Sequence, residues 1–213
     1  MNNKYTFWWY EKAFPNYICD KLIYYFEKQK ESYRKGTVGK LDNKSVNDFS
    51  KQEMKELLDY RNSDIAWTED KWLYNILFPF IRDANQRAGW NYQYDRAESV
   101  QFTKYGENGF YDWHCDSNKQ PYGEKSHPNV RGKVRKLSMS VCLSDENDYE
   151  GGDLTFKILS DKNKGQIWQA TEKKLRKKGS VCVFPSYVFH KVSPVTKGNR
   201  FSLVMWTLGN PWQ

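Results

Sequence analysis

The rhythm of apolar and polar positions changes near residue 92. Before it, apolar residues recur at helical spacing. In "FPNYICDKLIYYFEKQK", Ile18, Leu22, Tyr25 and Phe26 fall on one helical stripe, with Asn16 placed to cap its start. Gly-rich, charged "RKGTVGKLDNK" follows and reads as a loop. Ser50 with Glu53 forms a capping-box pair opening a short helix through Leu57 and Leu58. "SDIAW" reads as a brief strand. Thr68 is placed to cap a longer helix carrying Leu73, Leu77, Phe80 and Ala84, closed by Gly89. Pro79 predicts a kink or a split in that helix.

Beyond residue 92 the period drops to two. "ESVQFTKY", "KLSMSVCLS", "GDLTFKI", "GSVCVFP" and "RFSLVMWTL" are short, β-branched or aromatic, and separated by Gly, Pro, Asp and Asn. Such spacing predicts a sandwich or barrel, for which a double-sheet jelly roll is the natural closed form. The expected fold is mainly β with supporting helices, in one domain over residues 1–213. Residues 92–213 would form the jelly-roll (double-stranded β-helix) core. The mostly helical residues 1–91 would pack on one sheet, which needs a cover. Gly151 and Gly152 suit a hairpin turn with positive φ. Residues 117–133 form a long polar loop, a length that marks function or disorder.

A mean hydropathy of −0.91 suggests disorder. The aromatic content of 17%, with nine Trp and fifteen Tyr, overrides it, because disordered chains are poor in rings. The net charge of +8 leaves three readings: a nucleic-acid partner, an acidic small molecule or peptide, or a lysine-rich surface. The last is favoured, since the lysines are dispersed; even the dense "EKKLRKK" at 172–178 reads as a solvated face. Cys19, Cys115, Cys142 and Cys182 show no CxxC spacing, and Cys142 and Cys182 alternate with apolar residues as core positions do. Free thiols, no apolar leader and no run of about 18 apolar residues predict a cytoplasmic protein without a membrane span.

His114 and Asp116 stand two apart in "GFYDWHCD", the repeat that sends strand side chains to one face. Such a pair is also compatible with a structural hydrogen bond. A second segment adds His190, after a strand ending in Pro-Ser, and Arg200 ten residues on. Alternation places Arg200, Ser202, Val204 and Trp206 on one face, with no acidic residue in that strand. A buried guanidinium without a counter-charge costs about 3–5 kcal/mol, and a bound carboxylate would offset it. The planar fork of Arg suits a bidentate grip, and Ser202 could add a hydrogen bond. Two His and one Asp beside a carboxylate receptor match the facial triad of non-haem Fe(II) oxygenases. Cys115, between His114 and Asp116, should face away.

On "ESVQFTKYGENGFYDWHCD", "RKLSMSVCLSDENDYEGGDLTF" and "GSVCVFPSYVFHKVSPVTKGNRFSLVMW", the chain resembles the 2-oxoglutarate- and Fe(II)-dependent oxygenases of the prolyl 4-hydroxylase type, including small bacterial and virus-encoded members. The resemblance implies iron on His114, Asp116 and His190, and the far carboxylate of 2-oxoglutarate on Arg200. It implies a cosubstrate hydrogen bond from Tyr105, and Tyr111 and Trp206 as walls of the substrate pocket, Trp206 being equally suited to the core. Fe(II), 2-oxoglutarate and O2 are the expected cofactors, with ascorbate as an optional auxiliary. The implied reaction is hydroxylation of a prolyl residue in a peptide or protein, releasing succinate and CO2. Alternatives are the same chemistry on another side chain, a free amino acid or a nucleobase, and an inactive jelly-roll binding module. Arg131, placed with the substrate contacts, Arg135 and Lys136 could steer an acidic partner, and nucleic acid is less favoured. His127 is expected in solvent, and residues 117–133 are a candidate lid.

Overall fold

A computed structural model describes residues 5–28, 33–37, 46–118, 120–124, 126–159 and 167–212. The 34–44 loop expected from sequence lies outside the described residues from position 38 onward. Among the described residues there are three α-helices: α1 (Asn16–Lys28), α2 (Lys51–Tyr60) and α3 (Lys71–Arg87). The early strands are β1 (Trp8–Tyr10), β2 (Arg34–Lys35), β3 (Arg61–Asn62) and β4 (Asp64–Thr68). Next come β5 (Arg96–Ala97), β6 (Val100–Tyr105), β7 (Phe110–His114), β8 (Val134–Cys142), β9 (Tyr149–Gly151) and β10 (Leu154–Leu159). The last are β11 (Ile167–Thr171), β12 (Val181–Pro185), β13 (His190–Val192), β14 (Val195–Gly198) and β15 (Arg200–Gly209).

These strands form a jelly roll. An eight-stranded sheet runs β1-β12-β8-β15-β6-β4-β2, with β5 also on β15, and faces a five-stranded sheet, β11-β10-β13-β7-β3. Alternation divides the large sheet between two cores. Phe102, Leu137, Met139, Val141, Val181, Val183, Leu203 and Met205 point outward and bury α1 and α3 through Cys19, Leu22, Phe26, Leu73, Leu77, Ile81 and Ala84. Tyr105, Cys182 and Phe184 point inward, where they meet Leu154, Phe156 and Val192 of the small sheet. Phe156 and Phe184 join the sheets edge to face, with ring centres 5.0 Å apart.

The helical half differs from expectation in detail. Helix α1 begins at Asn16, and the Pro15 carbonyl accepts from the N–H groups of Ile18 and Cys19. Tyr25 lies exposed, and Cys19 takes its place beside Leu22 and Phe26. Ser50 and Glu53 complete the capping box of α2, with bonds of 3.1 and 2.8 Å. Thr68 ends β4, and its hydroxyl accepts from the N–H of Asp70, which holds the cap position of α3. That helix continues through Pro79 unsplit. Pro79 and Asn75, four residues before it, are both exposed, so the carbonyl left without a donor faces water. Ile81 is buried where Phe80 was expected, and Gly89 closes the element at φ 73°.

Two expectations about loops are corrected. "EKKLRKK" is a clasp around buried Leu175. Lys174 and Lys177 grip Glu11, Lys178 grips Asp20 and Arg176 reaches Asp153, tying the N-terminal segment to the barrel. Gly151 and Gly152 make no hairpin; they carry the chain from β9, which pairs with β14, into β10 of the small sheet. Both keep positive φ, 73° and 64°.

Candidate active site

Small-sheet pairing assembles the three candidate ligands. His190 opens β13 directly opposite His114, the last residue of β7, and their ring centres lie 4.2 Å apart. Asp116 lies beyond β7, so strand alternation does not bring it to His114. A bend does: the N–H groups of Asp116 and Ser117 both donate to the Ser186 carbonyl, at 2.8 and 2.9 Å. The carboxylate then faces both imidazoles, Oδ1 3.8 Å from His114 Nε2 and Oδ2 3.6 Å from His190 Nε2. These spacings exceed a hydrogen bond and suit donors sharing one cation.

Each imidazole is held from behind. His114 Nδ1 lies 2.7 Å from the Asp112 carbonyl and His190 Nδ1 2.9 Å from that of Val188. A carbonyl only accepts, so both rings carry the proton on Nδ1 and turn the Nε2 lone pair inward. Burial and the neighbouring His190 push the His114 pKa well below the usual histidine range. Burial raises the Asp116 carboxyl, but the two imidazoles, Arg135 and the Ser138 hydroxyl together bring it below its ordinary value. Two neutral imidazoles and one carboxylate, with ligand atoms within 4.8 Å of one another, form a donor set that fits Fe(II). Cys115 is not in the group; its thiol donates to the Ser117 carbonyl at 3.5 Å.

The triad lies in a cavity of about 890 Å³ that also receives Arg200, Ser202, Val204 and Trp206, the face expected of β15. Arg200 is 4% exposed and pairs in register with Tyr105. The only hydrogen bond of its guanidinium among the described residues is a long one, 3.4 Å to Ser202 Oγ, and no carboxylate pairs with it there. Gly152 makes room for it: a Cβ there would sit 2.9 Å from Arg200 Cδ. Tyr105 and Tyr111 both line the cavity, and Tyr111 stacks on His114 with ring centres 3.4 Å apart. Trp206 faces the cavity, with the Arg135 guanidinium 4.0 Å over its ring.

Arg131 is not brought to this site. It is exposed on the 117–133 loop, where its Nε donates to the Ser126 carbonyl, and it does not line the cavity. Arg135 is there instead: the β8–β15 register shifts between Thr207 and Leu208, opposite Leu137 and Arg135, which turns Arg135 out of the outward row of Leu137, Met139 and Val141, while Arg131 precedes the strand. Arg135 makes a two-pronged bond to Glu98, 2.6 Å on each arm, and Tyr122 of the loop donates to the same carboxylate. The described part of the loop is thus fastened at Tyr122. His127 is exposed as expected, and Lys136 packs over Trp212 outside the cavity. Among the cavity residues that no sequence signal marked for the site are an arginine and a tryptophan from the helical half. Arg61 comes from the two-residue β3, and Trp67 from β4.

The profile of the 2OG-Fe(II) oxygenase superfamily matches residues 100–208, half of the chain, including the triad, Tyr105, Tyr111, Arg200 and Trp206. The chain belongs to that superfamily. A PKHD-type hydroxylase of Alteromonas mediterranea is 33% identical over 106 residues, 49% of this chain and 41% of the relative. The match thus spans about two fifths of that relative's length. Among solved structures, a Pseudomonas putida prolyl-4-hydroxylase superposes with TM-score 0.65 at 18% identity, covering 95% of this chain and 92% of that one. A Trichoplax adhaerens prolyl hydroxylase, solved with a hypoxia inducible factor peptide fragment, gives TM-score 0.66 at 16% identity, covering 97% and 84%. Both share the jelly-roll fold. Superfamily membership implies Fe(II) and 2-oxoglutarate, and the donor set and the unpaired Arg200 fit them. Among the described residues no helix is long and apolar enough to cross a membrane.

Proposed function

We propose that this chain is a 2-oxoglutarate- and Fe(II)-dependent dioxygenase that hydroxylates a prolyl residue in a peptide or protein. The observation that carries the reading is one cavity holding three converged, buried ligand side chains and a buried guanidinium that no described carboxylate neutralises. His114, Asp116 and His190 would hold the iron, and Arg200, with Ser202 and Tyr105, the distal carboxylate of 2-oxoglutarate. When bound, iron and cosubstrate supply the oxidative decarboxylation to succinate and CO2 that drives hydroxylation of a C–H bond. The protein contributes position. The Nδ1 bonds to Asp112 and Val188 set both imidazoles before any metal arrives, so little is reorganised on binding. Ser138 and Arg135 keep Asp116 ionised in a buried setting.

The prolyl assignment rests on flat aromatic walls suited to a pyrrolidine ring, Tyr111 and Trp206, and on the fold shared with prolyl hydroxylases. Residues 1–213 serve as one domain in which α1 and α3 buttress the large sheet through their buried stripes, while α2 packs by β3 and β7 of the small sheet. Ascorbate enters only as an auxiliary reductant. Buried thiols at Cys19, Cys142 and Cys182 that form no disulfide support a cytoplasmic setting. The experiment is a substrate panel with Fe(II), 2-oxoglutarate and O2, reading succinate and substrate mass. Proline-containing peptides should gain one oxygen atom and stimulate succinate release; oligonucleotides and free amino acids should not. Oxidation of those instead overturns the prolyl assignment. Retention of one tightly bound Fe(II) by His190→Ala overturns the ligand assignment.

A further inference from the structure

Arg61 is a second buried guanidinium in the cavity, only 6% exposed. Its Nε donates to Ser63 Oγ at 2.8 Å and its Nη1 to the Thr37 carbonyl at 3.0 Å, both neutral acceptors. No carboxylate pairs with it among the described residues. Its charged carbon lies 4.5 Å from the centre of the Tyr111 ring, which stacks on His114. The chain is shaped around it. A Cβ on Gly36 would fall 2.4 Å from Arg61 Nε, so a glycine there lets residues 33–37 close over the guanidinium. This is a cation held rigidly in place, unlike a surface arginine free to find water.

The rest of the wall shares the same character. Asp116 is the only carboxylate among the described lining residues, whereas Arg34, Lys35, Arg61, Arg135 and Arg200 all reach it. Asp64 neutralises Lys35 and Glu98 neutralises Arg135. The indole N–H groups of Trp67 and Trp206, both on the wall, are buried donors with no acceptor among the described residues. A buried donor left unpaired costs about 1–3 kcal/mol, so donors in surplus over acceptors mark a site built for an acceptor-rich ligand. Arg200 accounts for one carboxylate, that of 2-oxoglutarate.

We propose that Arg61 is a second carboxylate socket and that it reads a carboxylate on the substrate near the oxidised residue. The inference rests on the same cavity being the substrate site. Two sources offer this chemistry: an Asp or Glu side chain flanking the target, and a free α-carboxylate at a chain end. In either case a charge-assisted fork to Arg61 sets the register of the substrate over the triad.

Calorimetric binding of short peptides to the full chain tests this. The peptides combine Glu or Gln beside the target position, Pro or Ala at that position, and a free or amidated C-terminus. Glu peptides, or the free-acid forms, should bind the wild type at least about tenfold tighter than their neutral counterparts, the size expected of one charge-assisted contact. The arm that shows the difference identifies the source. Arg61→Gln should erase the discrimination and Arg61→Lys should keep part of it. Equal binding of all charged and neutral forms by the wild type overturns the proposal without any variant, as does discrimination that survives Arg61→Gln. The prolyl assignment fails separately, if Ala and Pro peptides bind alike and neither gains oxygen.

Discussion

Replacing Arg200 by Met separates a cosubstrate socket from a structural arginine. A buried guanidinium lacking a counter-charge costs about 3–5 kcal/mol. Against this, Arg200 has one long hydrogen bond to Ser202, 3.4 Å, and lies 5.5 Å from the Tyr105 ring centre. Together these contribute about 1–2 kcal/mol. Met preserves most of the stem volume packed against Gly152. The metal-free Arg200→Met protein should therefore be more stable than wild type, by about 2 kcal/mol. For a chain of this size that is a rise in Tm of about 4–8 °C. The same change should raise the 2-oxoglutarate requirement by more than about a hundredfold, from two charge-assisted hydrogen bonds lost. Thermal unfolding by circular dichroism, with and without 2-oxoglutarate and metal, reads both effects. A variant that melts well below wild type would show Arg200 satisfied within the fold, and an unchanged cosubstrate requirement would place the socket elsewhere.

Other consequences are as direct. Gly152→Ala should raise the 2-oxoglutarate requirement in steady-state turnover, because the new Cβ enters a left-handed backbone at φ 64° and presses on Arg200 Cδ. An unaltered requirement would show that Arg200 has room to move. Ser50→Ala should lower stability by about 1 kcal/mol in urea unfolding, by removing one half of the α2 capping box. At pH 8 the half-buried Cys115 should be alkylated first. Burial pushes Cys19 up to about 11 and raises Cys142 and Cys182, and labelling of Cys182 before unfolding would contradict its placement. The metal-free protein should lose stability as pH falls below 6.5. The unfolded chain then protonates His114, whose native pKa is depressed, so it binds more protons than the folded state. Asp116, also depressed, adds a loss in the same direction below pH 3.8. Each group limits the slope to about 1.4 kcal/mol per pH unit, and a flat denaturation midpoint from pH 7 to 4 would refute it.

Local periodicity made much of this protein legible. A strand alternates its side chains wherever it lies, so Arg200, Ser202, Val204 and Trp206 could be placed on one face before any sheet was known. The capping box at Ser50 and Glu53 is likewise a contact within one turn. Other features depend on pairing between distant segments. Asp116 reaches His114 because Ser186, seventy residues on, accepts its N–H, and the β7–β13 register sets His190 opposite His114. Arg61 gave no warning: it occupies a two-residue strand, and only its pairing with Tyr111 on β7 carries it to the cavity wall. Arg131 and Arg135 are indistinguishable by charge, and their different fates follow from where β8 begins and from the shift in its register with β15 beside Arg135. The lysines at 173–178 read as solvated because their acidic partners lie far away in sequence. Backbone geometry repeats every two or 3.6 residues and is written locally, whereas the meeting of charges, rings and ligands depends on which strands pair and in what register.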